Sequence, residues 1–83
     1  MNFKIEFAKQ AKKDFSKLDQ KTKERIVAVL HRIRIRPYAF VKKLVNLPYY
    51  SLRVGNYRLL LSIEKDKLYI YVIKVGHRKN IYD

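Results

Sequence analysis

Residues Tyr49 to Tyr82 read YYSLRVGNYRLLLSIEKDKLYIYVIKVGHRKNIY, and the fold follows from how this stretch divides. Gly55-Asn56 and the polar Glu64-Lys65-Asp66-Lys67 separate three runs rich in Leu, Ile, Val and Tyr, the composition of strands bounded by turns. The stretch is therefore expected to form a three-stranded antiparallel meander with a tight first turn. If Gly55-Asn56 is the loop, Val54 faces Tyr57, Arg53 faces Arg58, Leu52 faces Leu59 and Tyr50 faces Leu61, because antiparallel partners separate in step from the turn. Folding the third strand back around Lys65-Asp66 sets Ile63 against Leu68, Leu61 against Ile70 and Leu59 against Val72. Both turns then build one continuous apolar face.

The opposite face would carry Ser51, Arg53, Arg58, Leu60, Ser62, Tyr69, Tyr71 and Ile73. Like charges directly opposed destabilise a sheet, so the pairing of Arg53 with Arg58 calls for a reason. Either both guanidiniums splay into solvent, or the register slips, or an anion sits between them. Phosphate suits the third case, since an arginine presents a rigid fork of donors matched to it. Tyr69 and Tyr71 would then flank the phosphate, and aromatic rings beside arginines are surfaces on which single-stranded RNA bases stack.

Composition narrows the partners. The 83 residues suffice for a single domain, 1–83, with one core. A net charge of +13 and a pI near 10.2 point to a polyanionic partner, either nucleic acid or a strongly acidic protein. The charge is not confined to a tail: eleven basic and four acidic residues precede Lys42, and nine and three follow from there on. With 48% hydrophobic residues the chain should fold rather than stay disordered. The absence of cysteine excludes disulfides and thiolate ligands, and the two histidines, His31 and His77, lie far apart. No metal site and no cofactor are expected. No run approaches the ~20 apolar residues of a spanning helix and no signal-peptide pattern precedes the first strand, which reads as a cytoplasmic protein.

The first half supplies a strand and two helices. Phe3, Ile5 and Phe7 alternate with Lys4 and Glu6, a half-buried strand expected to join the meander as a fourth. From Ala8 the period becomes helical, with Ala11, Phe15 and Leu18 inward and the lysines outward. Asp19 is placed as N-cap of a second helix, Lys21 to Arg36, with Ile26, Val29, Leu30 and Ile33 inward and Pro37 as its stop. The short gap between the helices favours an antiparallel hairpin packed on the sheet, and Tyr38 to Pro48 reads as a connector. The fold class is thus α+β. The run Lys21, Lys23, Arg25, Arg32, Arg34 and Arg36 is either a solvated face or a phosphate-steering one. Gly76 ends the last strand, and the residues after it are expected to curl back over the arginine face.

Taken whole, the chain resembles the RelE/ParE superfamily of toxin-antitoxin toxins, and within it the RelE branch. The resemblance is carried by Arg-Val-Gly-x-Tyr-Arg at Arg53 to Arg58, by Gly-x-Arg followed by a terminal tyrosine at Gly76, Arg78 and Tyr82, and by the basic connector Lys42-Lys43-Leu44. It implies a toxin that binds the ribosomal A site and cuts mRNA by attack of a ribose 2′-hydroxyl on the adjacent phosphate, without metal. It also implies a small acidic RelB-like antitoxin as partner. Arg58 and Arg78 are implied to hold the scissile phosphate, and Tyr82 to stack on a base or take part in proton transfer. Two lysines that help activate the nucleophile in some members fall at Ser51 and Arg53. Arg53 keeps the charge but, as a guanidinium that stays protonated, is a poor base. Tyr82 or His77 is left to accept the proton. Lys42, Lys43, Ser51, Tyr69, Tyr71, His77 and Lys79 are expected to line the RNA. The ParE branch shares the fold but poisons DNA gyrase, and a basic RNA-binding module without catalysis is a third reading.

Overall fold

Strand β1 (Lys4–Phe7) lies at one edge of a five-stranded sheet in the computed structural model, which describes residues 2–77. Helices α1 (Lys9–Ser16) and α2 (Gln20–Ile33) follow, then a 3-10 turn at Pro37–Ala39. The rest is sheet: β2 (Lys42–Lys43), β3 (Tyr50–Val54), β4 (Tyr57–Glu64) and β5 (Tyr69–His77). The order across the sheet is β1-β5-β4-β3-β2. Neighbours are antiparallel except β1, which runs parallel to β5 with Lys4 opposite Tyr69 and Phe7 opposite Val72. The α+β class, the strand, the helical hairpin and the meander are all as the sequence implies.

Both helices cover one face. Ala11 of α1 and Ile26, Leu30 and Ile33 of α2 join Leu52, Val54, Leu59, Leu61, Ile70, Val72 and Val75 in a single buried core. Spacings of three and four put these helical residues on one stripe, which is why the sequence yields helices here. Asp19 caps α2, its carboxylate accepting from the Thr22 amide and hydroxyl, and these bonds hold its pKa below the ordinary value. The Phe7 and Phe15 rings meet edge to face at 5.4 Å and tie α1 to β1. Arg34 anchors the N-terminal segment to the end of α2. Its side chain donates to the Phe3 carbonyl at 3.0 Å while its own carbonyl accepts from the Phe3 amide at 2.9 Å.

Four expectations change. First, α2 ends at Ile33, ahead of Pro37, because Arg34 turns to bond Phe3. Second, Lys42-Lys43 is not merely a connector, since it pairs with Ser51 and Tyr50 as a fifth strand. Third, the second turn takes four residues rather than two, so Ile63 faces Ile70 and Leu61 faces Val72. The cause is Leu68, which adopts a left-handed φ of 56° and packs on the core while its carbonyl accepts from the Lys4 amide at 2.8 Å. The shift is by two residues, so every side chain keeps its expected face. Fourth, the β4–β5 ladder breaks between Leu60 and Leu61, where Ile73 is an extra residue in β5.

The first turn is as expected. Val54 faces Tyr57 across Gly55-Asn56, and Gly55 has φ +59° while Asn56 is not in the left-handed region, the pattern of a type II′ turn. A Cβ at residue 55 would stand 2.8 Å from Nη1 of Arg25, which reaches across from α2. Gly55→Ala should therefore cost about 1–2 kcal/mol, chiefly for the left-handed backbone because the arginine tip can swing aside. Thermal unfolding should show a Tm lower by roughly 5–15 °C for a domain of this size. An unchanged Tm would exclude the left-handed turn.

Candidate nucleic-acid interface

The sheet face turned away from the helices carries the expected chemistry, and its rows follow from the register. Arg53, Arg58 and Gly76 lie side by side across β3, β4 and β5. The neighbouring row on that face is Lys42, Ser51, Leu60 and Lys74. Further along come Ser62, Tyr71 and Glu6, and then Glu64, Tyr69 and Lys4. Among the described residues, every charged side chain in the two rows nearest the Gly55 turn is basic, and the far end mixes lysine with two carboxylates. A polyanion has its electrostatic minimum over the arginine end.

Arg53 is exposed, whereas Arg58 is half-buried with its Nε shielded from solvent. Burial fixes the stem of Arg58 on the central strand, so its charge is held in place before anything binds. The two guanidinium-bearing positions face each other as the turn dictates, and an anion between them would turn a repulsive pair into a clamp.

Other expected site residues are dispersed. Tyr69 and Tyr71 do not flank the arginines. Tyr71 pairs with Ser62, four residues along β4 from Arg58, or roughly 13 Å at strand rise. Their rings stack on each other with centroids 5.5 Å apart and planes 18° from parallel. The four-residue second turn is what carries them to the far end. The last strand does not end at Gly76 but runs on to His77, which pairs with Tyr57, their rings edge to face at 5.7 Å, and so leaves the sheet on the helix side rather than beside Arg58. Lys43 likewise points to the helix side, where its Nζ lies 5.3 Å from the Tyr50 ring centroid and donates to the Leu47 carbonyl. Tyr38 packs edge to face on Tyr50, and burial, with Tyr50 beside it, pushes the Tyr38 hydroxyl above its ordinary pKa. Lys42 and Ser51 do share the arginine face. Arg78, Lys79 and Tyr82, and the expected return of the chain over the arginines, lie outside the described residues.

Three residues of the basic run from Lys21 to Arg36 have structural tasks. Arg34 bonds Phe3, Arg25 lies against the Gly55 turn, and Lys23 sits 5.9 Å over the Phe15 ring. Lys74, which strict alternation does not single out, stands on the arginine face. The sequence signal of the bulge that puts it there is that strict alternation from Ile70 and Val72 would turn Lys74 inward and Val75 outward.

Comparison with known proteins agrees with this geometry. The RelE toxin of the RelBE2 toxin-antitoxin complex from Mycobacterium tuberculosis superposes with a TM-score of 0.87 at 25% identity, covering 94% of this chain and 100% of that one. A mutant of the E. coli toxin RelE in the free state gives 0.83 at 26% identity, covering 98% and 88%. The RelB-RelE antitoxin-toxin complex from Methanococcus jannaschii gives 0.73 at 30% identity, covering 94% and 95%. No curated protein sequence matches significantly. The family model described as ParE toxin of type II toxin-antitoxin system, parDE, matches residues 5–82. The chain belongs to that family, and so is a toxin of a type II toxin-antitoxin system in the RelE/ParE superfamily.

Proposed function

We propose that the protein is an mRNA endoribonuclease that acts on the ribosome and so blocks translation. The observation that carries this reading is the opposed pair Arg53 and Arg58 on the sheet face turned away from the helices. In the reaction, a ribose 2′-oxygen forms a bond to the adjacent phosphorus as the bond to the 5′-oxygen breaks, leaving a cyclic phosphate and a free 5′-hydroxyl. The 2′-hydroxyl proton is lost and the departing oxygen gains one. Negative charge builds on the phosphorane between these events, and guanidiniums fixed beforehand stabilise it more than they stabilise the ground state. Arg53 and Arg58 serve as charge and hydrogen-bond donors, since a guanidinium does not give up its proton. Arg78 and Tyr82, at positions matching the family pattern, complete the assignment as phosphate holder and base-stacking or proton-transferring group.

The similar RelE chains from M. tuberculosis and M. jannaschii were solved with RelB antitoxins, and we assign a small acidic antitoxin to this chain too. The net charge of +13 attracts such a partner, and the half-exposed Val27 of α2 borders a shallow apolar groove with Phe15 and Ala28 that could anchor it. A gyrase-directed toxin is the second reading, favoured by the ParE description of the matching family. Translation of a defined message with purified protein, with primer extension to map cuts, tests the proposal. Cuts appearing only on translated message are expected. Intact message together with trapped gyrase-DNA complexes would overturn the ribonuclease reading in favour of the second.

A further inference from the structure

We propose that Lys74 is a further phosphate-binding side chain of the arginine face, put there by a β-bulge that Asp14 locks in register. The inference rests on reading this face as an RNA site, and it comes from following the pairing of β4 with β5 through the bulge. From Glu64 opposite Tyr69 to Leu61 opposite Val72 the strands keep step. Had they continued so, Lys74 would face Leu59 and Val75 would face Arg58. An ammonium would then point into the core beside a leucine with 0% exposure, and a valine would occupy the arginine row.

The extra residue Ile73 removes both conflicts. Leu59 faces Val75, Leu60 faces Lys74 and Arg58 faces Gly76, with Val75 buried and Lys74 exposed. A bulge interrupts the ladder and needs another way to satisfy its backbone. Here the Val75 amide donates to Oδ2 of Asp14 on α1 at 3.0 Å, and Gln10 Nε2 donates to Oδ1 at 2.8 Å. The carboxylate is thus oriented from two sides, and its bond to the amide is charge-assisted.

The consequence falls on the far side of the sheet. Lys74 becomes the diagonal neighbour of Arg58, a relation that sets Cβ atoms somewhat under about 8 Å apart, within reach of two long side chains. Gly76, directly opposite Arg58 on β5, adds no side chain to the row. One phosphate oxygen can therefore meet the Arg58 fork while another meets the Lys74 ammonium. Asp14 is a positioning residue: it touches no substrate and acts through the backbone of β5.

The test is binding of a fluorescent 2′-O-methyl single-stranded RNA dodecamer between 50 and 200 mM salt, run beside cleavage of translated message. Lys74→Ala should weaken binding several-fold and reduce the slope of log affinity against log salt by about 0.7 to 1, the value of one phosphate contact. Lys74→Arg should restore both. Asp14→Ala should reproduce the Lys74→Ala loss and speed hydrogen exchange at the Val75 amide at least tenfold. Asp14→Asn, which keeps an acceptor for that amide, should stay near wild type in both. Unchanged affinity and slope in Lys74→Ala, or a wild-type protein that does not bind the dodecamer, would overturn the site. An Asp14→Ala protein with a protected Val75 amide would overturn the lock. A Lys74-dependent slope in a protein that cuts no message would instead keep this site and remove the ribonuclease reading.

Discussion

Arg58→Ala is expected to lower the rate of message cleavage by roughly 10²- to 10³-fold, the usual cost of losing one fixed donor to a developing oxyanion. Arg58 ranks above Arg53 because its stem is half-buried on the central strand, so less conformational freedom is lost when it grips phosphate. Arg58→Lys should recover little, since an ammonium cannot reproduce the two-pronged contact. Arg53→Ala supplies the control. Arg53 is exposed and sits opposite a like charge, so its removal should lower cleavage less and leave Tm unchanged or slightly raised. Single-turnover cleavage and thermal unfolding of the three variants decide the matter. Full activity in Arg58→Ala would take that residue out of the site.

The second large effect concerns stability. Leu61 has 0% exposure on the central strand, between Tyr50 and Val72 and beside the bulge. Leu61→Ala should cost about 2–5 kcal/mol through lost burial and the cavity left behind. A domain of this length has only roughly 4–12 kcal/mol in all. Denaturant unfolding should show a midpoint reduced by a large fraction, with some of the protein unfolded at 37 °C. A loss under about 1 kcal/mol would mean that neighbours collapse into the space and that this part of the core is not tightly packed.

How much of this was legible depends on which residues carry unambiguous local chemistry. The Arg53–Arg58 pairing could be read because Gly55-Asn56 fits one tight turn and few others. The helices could be read because Ala11, Ile26, Leu30 and Ile33 repeat at a helical period and Asp19 marks a cap. The second turn could not. Nothing about a leucine announces a left-handed φ, and Leu68 adopts one because its side chain gains burial and its carbonyl gains Lys4. That error of two residues left the faces intact but misplaced Tyr69 and Tyr71 along the sheet, and with them the supposed aromatic flank of the phosphate. Strand β2 is two residues long, too short to show any period. The role of Asp14 was hidden for a different reason: its bond to Val75 spans 61 residues, and only the packing of α1 on β5 creates it.

The parallel pairing of β1 with β5 bears on how the protein comes into being. Lys4 finds its partner in Tyr69, and Phe7 in Val72, so the contact that completes the sheet joins residues more than sixty positions apart. Such contacts demand a large loop closure before they return any stability, and folds rich in them assemble late and slowly. While the chain is being synthesised, β1 has nothing to pair with until β5 has been made, and Arg58 likewise lacks Gly76 at its side. The arginine face is therefore assembled only after this stretch has left the ribosome that made it. The row that sets Gly76 beside Arg58 is thus among the last parts of the described fold to form.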